Sequence, residues 1–388
     1  MRNKRVMVFT LGNVVAQPKT QYVFENAEAE YTTNKRSQEF YDAFADRLNV
    51  IAWACGHYGH RAYSPEDNIA YSEKLMKRMD KFLKNTEVDL SIQMVGYPLI
   101  KHKEPYFIVC DYIPHVNVEI MDTIHFPYFN KSYTQSQDYL YKEAKGIICY
   151  TSVQRYMLIN WMHLDPCKIT TICSGVKGFV DKKYKKRKSK LILWVGVDFE
   201  LKGGAEVVEA FLKLYQRDQE YRLVMVGVEK EITHPGITVI PFLCNDDFAR
   251  LDCLYKEAAV FVMPSYKENL GLVYLEAMAH KTPVIVSSRG GMAEIIRRTQ
   301  AGIVVPPGNS KLLYDSILEV LSEDKYEGYS QRAYEFADKN AHWEISAERM
   351  IDAMGKWLKD KPVPDDYTDY SISEALLPYE SVIHKGLP

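Results

Sequence analysis

The feature that most constrains the fold of this chain is a regular alternation of short apolar runs with helical stretches. The runs are rich in β-branched and aromatic residues, which favours strands. Strands that alternate with helices in this way form a parallel sheet, an α/β architecture. The runs form two series: RVMVFTLG, NVIAWACG, VDLSIQMVG, YFIVCDY and GIICYTS in the first half, and LILWVGV, YRLVMVGV, GITVIPFL, AAVFVMPS, TPVIVSS and AGIVVPP in the second.

The two series predict two domains, since 388 residues exceed the length of one ordinary domain. We place the boundary near residues 175 to 188. The expected domains are 1–178 and 189–345, and a helix and tail at 346–388 are expected to return to the first domain. Both domains are expected to be Rossmann-like and doubly wound, and to face a central cleft. Such sheets bind ligands outside the carboxyl ends of their strands.

Composition narrows the class of protein. With 47% hydrophobic and 26% charged residues, the chain is typical of soluble globular proteins. The 49 Lys and Arg against 51 Asp and Glu argue against nucleic acid as the main partner. No run approaches the ~18 apolar residues of a membrane-spanning helix, and no cleavage site follows the first apolar run. We expect a cytoplasmic protein, with peripheral contact to a membrane left open.

A basic run, DKKYKKRKSK, places seven Lys or Arg between Lys182 and Lys190, at the expected domain boundary. Such a run could contact an anionic membrane or substrate, but charge runs are usually solvated. The favoured interpretation is a hydrated interdomain linker. The irregular, acidic and proline-rich tail after Trp357 is predicted to pack on a surface or fray.

Cysteine and histidine usage gives no strong metal signal. The seven cysteines are odd in number and form no C-x-x-C pair, so we expect reduced thiols. Cys55, His57 and His60 lie on one short segment, but three ligands without a further partner are weak support for a metal. We expect no metal and no cofactor.

The segment from Pro264 to Ser288 is the most informative for chemistry, because a strand, a loop and a helix follow one another there. A helix start leaves unpaired N–H groups and a partial positive charge, so a diphosphate could settle against residues 270–273. Gly271 would permit the close approach of the backbone that this needs. Earlier in the same series, Lys202 precedes two glycines and a helix, and could neutralise phosphate at the sheet edge; a solvated lysine is the alternative.

Two carboxylates flank the helix start. Glu268 lies in the loop and Glu276 more than one turn inside the helix, so they could hold different pairs of vicinal hydroxyls on one ligand. Either could instead be a surface charge. Glu276, however, lies among apolar residues, where an unpaired charge is costly, so it should have a partner or a ligand.

These residues resemble the retaining family 4 glycosyltransferases of the GT-B fold, whose E-x7-E signature matches Glu268 to Glu276 in ENLGLVYLE. The resemblance covers the C-terminal half, through GVDFELKGG, LVMVG, VIPFL, GGMAEII and HWEISAERM. It implies that Lys202 holds the diphosphate of a nucleotide-sugar donor, that Glu268 binds the transferred sugar, and that Glu276 binds the ribose. It also implies donor contacts at Gly196, Val197, Gly227, Phe242, Leu243, Asn269, Leu270, Gly271 and Leu272.

The sequence departs from the family pattern in several places. Val197 stands where many members have a phosphate-binding arginine, and Asn269-Leu270 replaces the usual Gly-Phe. In the N-terminal half the Gly-rich first loop is reduced to the segment around Gly12. Asp111 is nearest to the position of the usual sugar-contacting histidine, and His115 is the alternative.

The resemblance implies an enzyme that moves a sugar from a UDP- or GDP-sugar to a glycan, a lipid-linked acceptor or another hydroxyl, as in polysaccharide biosynthesis. It implies retention of anomeric configuration, with the departing phosphate accepting the proton of the acceptor and no metal required. Two alternatives stay open: a non-catalytic partner subunit that binds glycan or protein, and a GT-B sugar-nucleotide epimerase.

Overall fold

The computed structural model describes residues 4–11, 21–24, 42–45, 47–55, 87–94, 104–110, 139–186, 189–241, 243, 248–268 and 270–364. These residues form two compact units. The chain up to Cys173, together with the segment that starts at Ser346, forms the first unit, and Ser174–Ile345 forms the second.

The first unit contains a parallel sheet of seven strands. They are β1 (Arg5–Leu11), β2 (Gln21–Phe24), β3 (Asn49–Cys55), β4 (Leu90–Met94), β5 (Tyr106–Cys110), β6 (Gly146–Cys149) and β7 (Ile169–Thr171), in the order β2-β3-β1-β4-β5-β6-β7. Each of the five apolar runs predicted as strands in this half contains one of them, and the parallel register confirms the expected α/β class. Strands β2 and β7 were missed, because QYVF and ITT are too short and too polar to stand out.

The second unit contains a parallel sheet of six strands, one for each predicted run. They are β8 (Leu191–Val195), β9 (Arg222–Val226), β10 (Ile237–Ile240), β11 (Val260–Met263), β12 (Val284–Ser287) and β13 (Gly302–Val305), in the order β10-β9-β8-β11-β12-β13. This is the doubly wound order of a dinucleotide-binding sheet. The order reverses between β8 and β11, so the loops that leave these two strands diverge and open a crevice at the carboxyl edge.

Helices accompany the strands, and those whose bounds are described are α1 (Ser152–Asn160), α2 (Gly204–Arg217), α3 (Phe248–Glu257), α4 (Leu272–Ala279), α5 (Met292–Thr299), α6 (Ser310–Val320), α7 (Tyr326–Asn340) and α8 (Trp343–Trp357). Helix α2 shows why they form. Val207, Ala210, Phe211 and Leu214 recur at helical spacing and are fully buried. The core of this unit is large and aromatic, with Trp194, Phe211, Phe261 and Tyr274 inside.

The part of helix α8 from Ser346 onward belongs to the first unit. Its last residue, Trp357, donates a hydrogen bond from Nε1 to the Cys167 carbonyl over 2.8 Å and lies against Gly146. A Cβ on Gly146 would be 2.1 Å from the Trp357 ring, so a side chain there would exclude the indole. The helix therefore ends packed on β6 of the first unit.

The basic run is only partly the hydrated linker that its composition suggests. Lys182, Lys183 and Lys185 are exposed. The Lys186 ammonium is instead enclosed and donates to the carbonyls of Tyr255, Lys256 and His280 and to the Thr282 hydroxyl, over 2.5 to 3.4 Å. Burial lowers the pKa of Lys186 to about 7. Lys186 thus ties the segment to the ends of α3 and α4, a contact that a charge pattern does not reveal.

No helix among the described residues has the length and apolar character needed to cross a membrane. Within the same residues no group of three His, Cys, Asp or Glu side chains is placed to hold a metal ion. His57 and His60 lie outside the described residues, as do the side chain of Cys55 and the tail from residue 365.

Candidate functional site

The loops that leave β8 and β11 bring Lys202 and Glu268 together at the point where the strand order reverses. The Lys202 ammonium lies 2.9 Å from Oε2 of Glu268 and also donates to the Lys267 carbonyl over 3.3 Å. The backbone N–H of Tyr266 donates to the Leu201 carbonyl over 2.9 Å, which joins the two loops directly. Two residues that are 66 positions apart in the sequence therefore form one site.

The Lys202–Glu268 pair is largely enclosed, with 20% and 12% of the side chains exposed. Charges in such a place are weakly screened, so a phosphate or a hydroxyl that enters would interact with them more strongly than at an open surface. The backbone of Lys202 is held in place because Trp194 Nε1 donates to its carbonyl over 3.1 Å. This hydrogen bond joins the Lys202 end of the loop back to strand β8, which contains Trp194.

Two helix starts meet at the same edge. Gly203 precedes α2 and Gly271 precedes α4, both in the left-handed backbone region, and neither helix has a side-chain cap. In α2 the Gly204 N–H donates to the Phe199 carbonyl over 2.7 Å, and in α4 the Tyr274 N–H donates to the Gly271 carbonyl over 3.0 Å. The first-turn N–H groups that these bonds leave for an anion are those of Ala205 and Glu206 in α2 and of Leu272 and Val273 in α4. Glycine is required at position 271, because φ is +73° and a Cβ would lie 2.4 Å from the Tyr274 ring.

The loop after β12 packs against the backbone of Glu268. Gly290 has a φ of +99°, and a Cβ there would lie 2.1 Å from the Glu268 carbonyl oxygen. Only a residue without a side chain lets the two backbones come this close. Gly290, the first glycine of GGMAEII, thus lets the loop after β12 pack directly on the Glu268 loop.

Glu276 lies deeper in the unit, with 6% of its surface exposed. Its Oε2 accepts a hydrogen bond from the Tyr255 hydroxyl over 2.9 Å, so the buried carboxylate has a protein partner, and its predicted role in ligand binding stays a prediction. The Glu276 carbonyl accepts from His280 Nδ1 over 2.7 Å, which places the proton of the neutral imidazole on Nδ1. Burial lowers the pKa of His280 to about 4, so the ring is neutral at pH 7.

The remaining predicted donor contacts lie around this edge where the structure describes them. Leu270 is buried, and Leu272 begins α4. A Cβ on Gly227 would lie 2.5 Å from the Gly196 carbonyl oxygen, so the ends of β8 and β9 are in close contact. Val197 is 69% exposed at the end of β8. Leu243 is partly exposed, while Gly12, Asp111, His115, Phe242 and Asn269 lie outside the described residues.

The sequence did not single out two side chains at this site. Tyr255 lies in α3, and only its apolar helical setting marks it before the fold is known. Lys267 lies next to Glu268, is partly buried, and has a pKa lowered to about 8 by burial and by the charge of Lys202. Its neighbour Tyr266 donates a short hydrogen bond to Glu206 near the start of α2.

Taken together, the edge offers ammonium groups and free backbone N–H groups for phosphate, and carboxylate oxygens for sugar hydroxyls. Phosphate recognition by helix starts and lysine is general in doubly wound sheets. The arrangement suits a ligand that carries a diphosphate between two polyhydroxylated groups.

Comparison with known proteins finds a family match in the second unit. Residues 177–337 match the model of the family described as Glycosyl transferases group 1. A D-inositol 3-phosphate glycosyltransferase of Mycobacteroides abscessus is 31% identical over 125 residues, which cover 32% of this chain and 28% of that protein. The matches span 28%, 38% and 59% of the length of three curated relatives. The expected resemblance to glycosyltransferases is confirmed for this unit.

Solved structures share the fold across both units. Sucrose-phosphate synthase of Thermosynechococcus elongatus is similar with a TM-score of 0.69 and 16% identity, over 92% of this chain and 100% of that one. An Anabaena protein solved with UDP and glucose is similar with a TM-score of 0.60 and 12% identity, over 87% and 99%. These matches confirm the predicted GT-B fold class.

Proposed function

We propose that this chain is a retaining glycosyltransferase that moves a sugar from a UDP- or GDP-sugar to a hydroxyl of a glycan or lipid-linked acceptor. The observation that carries the proposal is the Lys202–Glu268 pair between two uncapped helix starts, at the reversal point of the second sheet. The family match over residues 177–337 supports it.

In the proposed complex the diphosphate lies against the starts of α2 and α4, and Lys202 neutralises the phosphate next to the sugar. Glu268 accepts hydrogen bonds from the sugar hydroxyls, and Glu276 from the ribose. Leu243 and Phe242 border the base. Carboxylates are suited to vicinal hydroxyls because each oxygen accepts independently.

Transfer then begins when the sugar–phosphate bond lengthens and positive charge develops on the sugar ring. Lys202 and the helix N–H groups stabilise the departing diphosphate, which is the charge that grows during the step. The acceptor hydroxyl attacks from the same face, and its proton passes to the departing phosphate oxygen. Retention follows, and the charge of the diphosphate is balanced without a metal. Asp111 or His115 remains the predicted sugar contact from the first unit.

The first test is a panel of UDP-, GDP- and ADP-sugars, scored for nucleotide release and thermal stabilisation. UDP-glucose comes first, because a fold neighbour was solved with UDP and glucose. A donor at 100 times its Kd stabilises a protein by about 2.7 kcal/mol, which raises Tm by roughly 5–11 °C for a domain of 150–250 residues such as the second unit.

The matched variants are Glu276→Gln in the site and Glu209→Gln on the exposed face of α2. We expect the donor effect to be lost in the first and kept in the second. If a donor stabilises the protein but no acceptor brings about nucleotide release, the non-catalytic partner subunit is favoured. A rearranged sugar without an acceptor would favour the epimerase. NMR of the anomeric proton of the product tests retention directly.

A further inference from the structure

One ammonium group at the candidate donor site, that of Lys267, has no carboxylate partner among the described residues. Two ammonium groups, Lys202 and Lys267, come from the loops after β8 and β11, while Glu268 is the carboxylate paired with Lys202. Within the part of the chain that the structure describes, the Lys267 ammonium has no hydrogen-bond or ion-pair partner. The Lys267 ammonium is therefore an unpaired cation at this edge of the sheet.

An ammonium without a partner is unusual at the position of Lys267. Its carbonyl accepts from the Lys202 ammonium over 3.3 Å, so its backbone belongs to the site, and its side chain is partly buried. An ammonium that loses water without gaining an anion is unfavourable. The lowered pKa of Lys267, near 8, has the same two causes, burial and then the like charge of Lys202. A solvent-exposed surface lysine would be neither buried nor held close to a second positive charge.

We propose that Lys267 is a second phosphate-binding residue, which contacts the diphosphate of the nucleotide donor alongside Lys202. This inference rests on the proposed function and names a residue that the family resemblance does not assign. It also explains how the site can work with an uncharged side chain at Val197. The end of β8 supplies no cation there, and Lys267 supplies one from the neighbouring strand end.

The charge count of the site agrees with this proposal. Lys202 and Lys267 contribute two positive charges, while Glu268 and Glu206, in the first turn of α2, remove two. The two helix starts add about +0.5 each. The total is about +1, and without Lys267 the site would carry no net positive charge to meet the two negative charges of a sugar-linked diphosphate.

The proposal predicts a pH dependence of binding. Free Lys267 loses its proton near pH 8, and a bound diphosphate keeps the proton in place. Affinity for UDP should therefore fall about tenfold between pH 7 and pH 9. The charged groups of the surrounding loops and helix start are Lys202, Glu268 and Glu206, which accepts from the neighbouring Tyr266. Tyr274 and Tyr266 have raised pKa values, from burial and from the Glu206 hydrogen bond respectively, so these phenols stay neutral across the window.

The experiment is calorimetric titration of the full chain with UDP and with GDP at pH 7 and pH 9. The variants are Lys267→Met, Lys267→Arg and, as a control, Lys213→Met on the exposed face of α2. We expect Lys267→Met to weaken binding about 10- to 100-fold at pH 7, and Lys267→Arg and Lys213→Met to stay within threefold of the wild type.

The pH profile separates a phosphate contact from a structural role. The tenfold loss between pH 7 and pH 9 should disappear in Lys267→Arg, whose guanidinium stays charged. If the wild type binds UDP or GDP with the same affinity at both pH values, or if Lys267→Met binds as tightly as the wild type, this inference is wrong and the proposed function stands. If the wild type binds no nucleotide at all, both are wrong.

Discussion

Replacing Gly290 by alanine should displace Glu268, whereas the same change at Gly308 should not. Both glycines have positive φ angles, +99° and +76°, so alanine is strained at either position, by about 1–2 kcal/mol. They differ in what the new methyl group would meet. At Gly290 it would lie 2.1 Å from the Glu268 carbonyl oxygen, whereas at Gly308 the nearest atom is the Tyr266 hydroxyl oxygen at 3.3 Å.

The difference in stability can be estimated from these distances. Real Cβ contacts are almost never shorter than 3.0 Å, and the obstacle at Gly290 is backbone, which cannot rotate away. The loops must separate, at a further cost of about 1–3 kcal/mol. We expect Gly308→Ala to lower the free energy of unfolding by about 1–2 kcal/mol and Gly290→Ala by about 2–5 kcal/mol.

The functional consequence should be larger than the loss of stability suggests. A displacement of about 1 Å of a substrate-positioning group can reduce turnover about 100-fold. Urea unfolding would give the free energies, and nucleotide release from UDP-glucose, or from the donor that the panel identifies, would give the turnover. Equal losses of stability in the two variants, or normal turnover in folded Gly290→Ala, would refute the role assigned to the Gly290–Glu268 contact.

Three further predictions concern other parts of the second unit. Tyr255→Phe should weaken UDP binding about three- to tenfold but leave inorganic pyrophosphate binding unchanged, because Glu276 loses the hydrogen bond that orients it and pyrophosphate has no ribose; equal effects on both ligands in calorimetry would contradict this. Lys186→Met should lower the free energy of unfolding by about 2–4 kcal/mol in urea titrations, because the carbonyls of Tyr255, Lys256 and His280 lose the ammonium donor that they share; a neutral result would mean that desolvation of the ammonium cancels its hydrogen bonds. Val197→Arg should strengthen UDP binding about three- to tenfold at low salt, an effect that should shrink at high salt; unchanged affinity would place the diphosphate elsewhere.

Much of the fold was predictable because parallel strands buried on both faces are continuous apolar runs. All six strands of the second unit were found in this way, and five of the seven in the first. Strands β2 and β7 were not predicted, because their own residues show no strong pattern. They form strands because they pair with β3 and β6 in the sheet.

The candidate site was predictable where local sequence carries the chemistry. A glycine before a helix, a lysine before two glycines, and a glutamate among apolar residues each point to a role on their own. The partner of Glu276 was not predictable, because Tyr255 lies on another helix and is one of many buried tyrosines. The enclosure of Lys186 was missed for the same reason, since its acceptors are contributed by the ends of α3 and α4.

The sequence by itself determined the alternation of strands and helices and the chemical character of the loops, since both depend on residues that are neighbours in the chain. Only the tertiary structure decided which loops meet. The strand order reverses between β8 and β11, and this reversal places Lys202, Lys267 and Glu268 at one edge. Strand order depends on the packing of the whole sheet and its helices, and so on contacts between residues that are far apart in the sequence.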